Sequence, residues 1–431
     1  MDMRKLVDAF LSMHNFPVRL NVSAVTDAVL YDMEAGLCKK GIAAGEEMIH
    51  TFALPPEKKP ANENVIVIDA GGTNFRSCLV TFDSNGKPSI SEMEKTSMPG
   101  VAKELSKKEF FDQFATNLEH LKNKATKIGF CFSYPMQITA DGDGILNGFS
   151  KEVKAPEVVG CKIGECLSEA LVAHGWKRPE KISLINDTVA ALLAGASRSG
   201  TGFDYSSYIG FILGTGMNIA YIQPETDYMK RQIVVCESGK FNKLVDSDFD
   251  RELDSHTTAP GTFRLEKKCS GAYLGTVAYY IIKAACEEGL FSESVAKALS
   301  TLNSLTLIDM DKFLHAPLCT ETPLGKLLGD AKASADDYTT LFMLFDAVVE
   351  RSARYSAAIL AAAVIKSGQG KDPVRPVCIV CNGTTFYKTH AIRDRVAGYL
   401  EEILTAQRSL YFHLVSVDDD ITVGTAISGL V

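Results

Sequence analysis

Twice in this chain a short apolar, β-branched run ends in a turn built from glycine and threonine, and a second apolar run follows at once. The first unit is VIVID over 65–69, then Gly71-Gly72, then FRSCLVTF over 75–82. The second is YIGFIL over 208–213, then Gly214-Thr215-Gly216, then NIAYIQ over 218–223, with a further strand over 232–236. Alternating or continuous apolar runs of this length bounded by glycine read as strands joined by tight turns. Two such units in one chain imply two lobes of similar design. The length agrees, since 431 residues exceed what one ordinary core supports.

Between and after these units, strands are expected at 90–96, 127–132, 182–185, 377–381 and 412–417. Helices are expected at 107–121, 163–174, 389–405 and over a long amphipathic stretch, 337–366, ended by Gly368 as C-cap. Strands alternating with helices imply an α/β layered architecture. No proline- or glycine-rich linker separates the halves, so the lobes should share a cleft.

Composition narrows the function. Forty-five bases against 53 acids give a net charge of −8 with no run of five like charges, which argues against nucleic acid as a partner. The longest apolar stretch, 357–365, is far below the roughly 20 residues that cross a bilayer. The first sixteen residues carry Asp2, Arg4, Lys5, Asp8 and His14, an amphipathic helix and no signal-peptide core. A cytoplasmic protein without a membrane partner is the expectation. Its eleven scattered cysteines, an odd number, fit reduced thiols, and the C-x-x-C pair Cys378/Cys381 fits a buried strand with no second ligand pair beside it.

The run Asp69-Ala-Gly71-Gly72-Thr73-Asn74-Phe-Arg76 places an acid at a strand end, then glycine backbone that can approach an anion, then hydroxyl, amide and guanidinium donors. Backbone N–H groups in such a turn make a phosphate cradle, and Asp69 can organise a hydrated magnesium ion. The run is neither a P-loop nor a G-x-G-x-x-G fingerprint. Gly214-Thr215-Gly216 would be a second cradle, gripping the same nucleotide from the other lobe. Asp141 to Asn147 begins like a calcium loop, but Ile145 and Leu146 stand where an oxygen ligand and glycine are required, so it reads as a turn.

These residues resemble the hexokinase family, within the sugar kinase, actin and heat-shock ATPase superfamily. The resemblance runs from about residue 16 to the end in six ordered blocks. VIVIDAGGTNFR resembles the first phosphate loop, KIGFCFSYPMQ with GILNGFSKE the sugar segment, and INDTVAALLAG the catalytic segment. GFILGTGMNIAYI resembles the second phosphate loop, ESGKF and FRLEKKCSGAYLG the two segments bearing sugar glutamates, and CNGTTFYKTH the adenosine segment. The resemblance implies an α/β, two-lobed actin-like (ribonuclease H-like) fold with a central sugar and nucleotide cleft, each lobe a mixed five-stranded sheet with helices. The small lobe would be 62–187 plus 424–431 and the large lobe 1–61 plus 188–423.

It also implies an ATP-dependent hexokinase that phosphorylates the 6-hydroxyl of glucose and related hexoses for glycolysis, with ATP and Mg2+. Asp187 would be the general base, with a second expected role of capping the helix that starts near Val189, and Arg76 and Lys151 would join it in catalysis. The sugar would be held by Ser150, Lys151, Asn186, Asp187, Asn218, Glu237 and Glu266. ATP would meet Asp69, Gly71, Gly72, Thr73, Asn74, Arg76, Gly214, Thr215, Gly216, Gly383 and Thr384, with magnesium on Asp69 through water. Hexose and ATP are the expected partners of a monomer or homodimer. With no fused second copy, the regulatory half of duplicated hexokinases is not expected.

Three departures stand out. The Gly-Ser-Gly-basic-Gly turn before the last helix is replaced by Asp420-Ile421-Thr422-Val423-Gly424, Asn382 stands where an acid is common, and Ser238 replaces a tryptophan after the first sugar glutamate. The altered turn motivates an alternative, a non-catalytic sugar-binding or regulatory protein on the same fold. An actin-like or chaperone ATPase would have no reason to keep the sugar set, and the zinc-binding cysteine cluster of repressor-related glucokinases is missing.

Overall fold

A computed structural model describes residues 2–38, 43–149, 153–197 and 204–431. Among the described residues, thirteen strands form two large sheets and one hairpin. In the first sheet, β2 (Glu63–Gly71), β3 (Asn74–Phe82) and β4 (Pro88–Ser97) run antiparallel, and β5 (Lys127–Phe132) and β8 (Lys181–Ile185) extend from β2 in parallel, giving the order β4-β3-β2-β5-β8. In the second sheet, β9 (Ser207–Leu213), β10 (Met217–Gln223) and β11 (Gln232–Val235) run antiparallel, and β12 (Val377–Asn382) and β13 (Phe412–Val415) extend from β9 in parallel. The plan is therefore repeated, as the twin strand–turn–strand units imply. The second sheet has six strands and not the expected five, because β1 (Ile49–His50) pairs with the far edge of β11. β6 (Met136–Ile138) and β7 (Gly144–Leu146) form the separate hairpin.

The alternation in VIVI explains how the first sheet is packed, since successive side chains leave a strand on opposite faces. Ile66 and Ile68 join Phe110, Phe114, Leu167 and Leu171 on the outer face. Val65 and Val67 face inward onto a core shared with Val189, Leu193, Val423, Ala426 and Ile427 and with Ala220 and Val235 of the second sheet. Each fully buried side chain of this kind contributes about 1.5–3 kcal/mol. The inner core belongs to two helices, Asp187–Ser197 and Asp420–Ser428, sandwiched between the sheets. Glycine lets them approach: a Cβ on Gly129 would overlap the Thr425 carbonyl, and one on Gly210 the Thr188 carbonyl. Gly424 likewise meets the Ala190 carbonyl where the two helices cross.

Several expectations are corrected at their boundaries. The helix expected over 389–405 is Ile392–Leu400 running into one wider turn, Glu401–Ala406, and a separate short helix, Thr384–Lys388, precedes it. The stretch 420–424 is not a turn but the start of the last helix, and the bend before it falls at Asp419, whose φ is 51°. The long helix spans Ala335–Ser367, opened by a Ser334/Asp337 capping box and closed by Gly368 at φ 67°. Asp143, in the rejected calcium-like stretch, accepts hydrogen bonds from the N–H groups of Gly164 and Glu165 at 2.7 and 2.9 Å, and so caps the helix Ile163–Ala173. All eleven cysteines are free thiols, and among the described residues no helix is long and apolar enough to cross a membrane.

Candidate active site

The β2–β3 turn carries the run expected to be the first phosphate loop. Its pairing closes at Gly71 opposite Asn74, with Gly72 at φ 55° and Thr73 at the tip. Gly72, Thr73 and Asn74 are exposed. A Cβ on Gly71 would come within 2.8 Å of Ser133 Cβ, so glycine allows this turn to lie against the strand end after β5. The Tyr134 hydroxyl also donates to the Gly72 carbonyl at 2.9 Å. Register places Asp69 directly opposite Arg76, with the guanidinium 3.6 Å from the carboxylate. Burial pushes the Asp69 carboxyl up, and Arg76 pulls partly against it.

The β9–β10 turn is the second loop, and it is walled in. The Gly214 N–H donates to the Gly216 carbonyl, and the Gly214 carbonyl accepts from the Gly271 N–H at 2.8 Å and from Thr385 Oγ1 at 2.9 Å. Gly383, at φ 115°, packs so tightly that a Cβ would overlap the Leu213 carbonyl. The adenosine segment and the second loop are thus one rigid corner, with Thr215 and Thr384 its exposed members.

At the end of β8, Asn186 Oδ1 accepts from the Thr188 N–H at 2.9 Å and from Thr188 Oγ1 at 2.6 Å. Asn186 therefore takes the capping position expected of Asp187, which is instead the first helical residue. The Asp187 carboxyl is pushed up to about 6, first by burial and then by the charges of Glu237 and Asp69, while the Thr188 N–H pulls against the rise. Like charges gathered in a half-buried cleft favour the protonated acid.

Two further carboxylates come from the second sheet. Glu237 follows β11 in the left-handed region at φ 56°, a conformation that costs a non-glycine residue free energy and is typical of sites held by their surroundings. Asn218 Nδ2 donates to it at 2.7 Å, and Asn218 Oδ1 accepts from the backbone N–H groups of Ile219 and Ser238 at 2.7 and 3.3 Å. Glu266 opens the short helix Glu266–Cys269 and accepts from the Met217 N–H at 2.9 Å. Burial raises both carboxyls.

A cavity of about 240 Å³ lies between the sheets, lined by Ser133, Asn147 and Asn186 from one side and by Glu237, Lys240 and Phe263 from the other. Of the expected sugar set, Asn186 and Glu237 line it directly, Asn218 donates to Glu237, Asp187 follows Asn186 in the chain, and Glu266 lies against the β9–β10 turn through the Met217 N–H. Ser150 and Lys151 lie outside the described residues. Ser133 and Asn147 fall inside the segments SYPMQ and GILNG, whose resemblance singled out the stretch but not these positions. Lys240 and Phe263 likewise fall inside the quoted segments ESGKF and FRLEKKCSGAYLG without being singled out, and Glu47 carried no signal in the sequence.

Two sheets of one plan, each offering a glycine hairpin to a shared cleft that also gathers carboxylates, define the two-lobed actin-like kinase fold. Two family models, both described as hexokinase, match residues 9–197 and 208–431. The chain belongs to the hexokinase family. It is 29% identical to Hexokinase-4, chloroplastic, of Oryza sativa subsp. japonica, covering 94% of this chain and 84% of that one. It is 26% identical to Hexokinase-1 of Schizosaccharomyces pombe over 94% of this chain and 86% of the other. The fold is shared with a Schistosoma mansoni hexokinase solved in complex with glucose, at a TM-score of 0.78, 21% identity and full coverage of both chains. A second hexokinase crystal structure matches at 0.83 and 20% identity, over 99% of each chain.

Proposed function

We propose that the protein is an ATP-dependent hexokinase that transfers the γ-phosphoryl group to the 6-hydroxyl of glucose or a related hexose. The observation that carries this reading is Asp187: a carboxyl at a strand end, beside the intersheet cavity, with an affinity for protons raised to about 6. A general base works best with a pKa near the operating pH, and an ordinary surface aspartate is too acidic to take an alcohol's proton well. Glucose is supported by its presence in the related Schistosoma mansoni structure.

In this reading Asp187 accepts the proton of the sugar hydroxyl while that oxygen bonds to the γ-phosphorus and the bond to the β-γ bridging oxygen breaks, releasing ADP. Glu237, Glu266, Asn218 and Asn186 hold the ring hydroxyls, with Ser150 and Lys151 completing the set. Arg76, Thr73 and Thr215 meet the phosphates, and Arg76 stabilises charge on the transferred group. Gly383 and Thr384 border the adenosine. Among the described residues no three His, Cys, Asp or Glu side chains converge as a metal site. Magnesium bound mainly by phosphate oxygens and water needs only one or two carboxylates, and Asp69, buried enough for its charge to want a cation, fits that need. Bound there, the ion would neutralise phosphate charge. The lobes 62–187 plus 424–431 and 1–61 plus 188–423 would close on the sugar and exclude water from the phosphoryl group.

The test is ADP release from MgATP with glucose, fructose, mannose or no sugar, for wild type and Asp187→Asn. Sugar-dependent turnover that falls at least about 10²-fold in the variant supports the reading. A wild type that is stabilised by glucose yet releases no ADP is the sugar-binding alternative.

A further inference from the structure

Lys240 is not explained by the phosphoryl-transfer machinery. Among the described residues lining the cavity it is the single cation. It closes the short turn Ser238–Lys240, in which its N–H donates to the Glu237 carbonyl at 2.9 Å, so its side chain returns beside Glu237. Its ammonium lies 2.6 Å from Glu47 and 3.8 Å from Glu237, and 5.3 Å from the centre of the Phe263 ring. The side chain is only 25% exposed.

Glu47 is set in place by unrelated contacts. The carboxylate of buried Asp32 accepts from the N–H groups of Gly45 and Glu46 at 2.9 and 2.8 Å, and β1 begins two residues further on, pairing Ile49 with Val235. Gly45 sits so close that a Cβ would be 2.8 Å from the Lys240 carbonyl. Two fixed carboxylates and an aromatic face therefore hold one ammonium at the wall of the cavity. An ammonium has three donors and no acceptor. One goes to Glu47 at 2.6 Å, while Glu237 at 3.8 Å is an ion-pair contact beyond hydrogen-bond reach, leaving two for ligand oxygens.

We propose that Lys240 sets acceptor specificity: it donates to an oxygen of the sugar held by Glu237 and excludes acceptors that carry an ammonium group at that position. The substrate class is accordingly neutral hexoses, with amino-hexoses rejected. Without Lys240 the cavity would be bordered by Glu47 and Glu237 with no described cation between them, a site that attracts amines. This inference rests on the hexokinase reading for its substrate and not for its charge logic.

The experiment compares kcat/KM for glucose, 2-amino-2-deoxyglucose and 3-amino-3-deoxyglucose at pH 6.5–7, where the amines are largely protonated, in wild type, Lys240→Met and Lys240→Arg. Removing one charge from among close neighbours at an effective dielectric near 20 is worth a factor of about 10 or more. The amino-hexose to glucose ratio should rise at least about tenfold in Lys240→Met for one of the amino sugars and stay near wild type in Lys240→Arg. A ratio within twofold of wild type for both sugars in Lys240→Met overturns the proposal, as does an equal rise in Lys240→Arg. Sugar-induced shifts in melting temperature are recorded in parallel. If wild type turns over no sugar, the hexokinase reading fails, and the same comparison made on those shifts still decides the role of Lys240.

Discussion

The two glycine turns occupy equivalent places in the two sheets, yet they are supported differently. The tip of the first, Gly72 to Asn74, is exposed, and a Cβ on Gly72 would meet nothing within 4 Å. The second is bounded by Gly271, Gly383 and Thr385 and touches Glu266. Equivalent topology thus yields one turn with open space above it and one built into the packed corner that also carries Glu266. The difference suits a site in which one lobe is fixed around its ligands and the other folds over them.

The sharpest way to break this contrast is to put a methyl group into each turn. Gly383→Ala combines φ 115° with overlap on the Leu213 carbonyl and should destabilise the protein by about 3 kcal/mol or more. Gly72→Ala, at φ 55° in open space, should cost about 1–2 kcal/mol. Denaturant midpoints of the two variants measure the gap, and equal losses would mean the loops are equally constrained.

Function should divide in the opposite sense. Arg76→Ala, in β3 beside the open turn, should lower kcat by about 10²–10³-fold at a stability cost of about 1 kcal/mol or less, because Arg76 is half exposed and its ion pair with the partly buried Asp69 is loose at 3.6 Å. Gly216→Ala, in the packed turn, puts a Cβ 2.8 Å from Glu266 Oε2. It should raise the sugar KM about tenfold through Glu266 and raise the KM for ATP as well, because the same turn is the second phosphate cradle of the proposed site. A rise confined to ATP would assign this turn to the nucleotide alone.

A last, pH-dependent effect on stability comes from the carboxyl of Asp187. The Asp187 carboxyl is raised from 3.8 to about 6 in the folded chain, so the native state holds its proton more tightly than the unfolded one. Its contribution is therefore absent below the unfolded value, becomes unfavourable as pH rises from about 4, and is complete above about 6. Asp187→Asn should stabilise the protein at pH 7.5 by about 1–3 kcal/mol and leave it unchanged near pH 3.5. The same titration makes wild-type kcat climb as pH passes through about 6.

The repeated strand–turn–strand units, the long capped helix and the six ordered blocks were legible because each is local: alternation, a glycine turn and a capping residue are written within a few positions. Glu237 and Glu266 were legible only as members of those blocks, since an isolated glutamate reads as surface. The helix expected over 389–405 is present but starts late, at Ile392, because Ala391 stands in the left-handed region at φ 55° just before it. The stretch 420–424 misled because Gly424 reads as a turn glycine. Its actual reason is the Ala190 carbonyl, contributed by a helix more than two hundred residues earlier.

The sequence by itself determined the doubled architecture, both glycine turns, and the residue types from which a phosphoryl-transfer site can be made. Only the tertiary structure decided that β1 adds a sixth strand, that Asn186 and not Asp187 caps its helix, and that Glu47 and Lys240 share the cavity wall with Glu237. The physical reason is range. Backbone periodicity and capping act over three or four residues, whereas ion pairing and close helix contact act through space, between positions whose separation of about two hundred residues leaves no local trace.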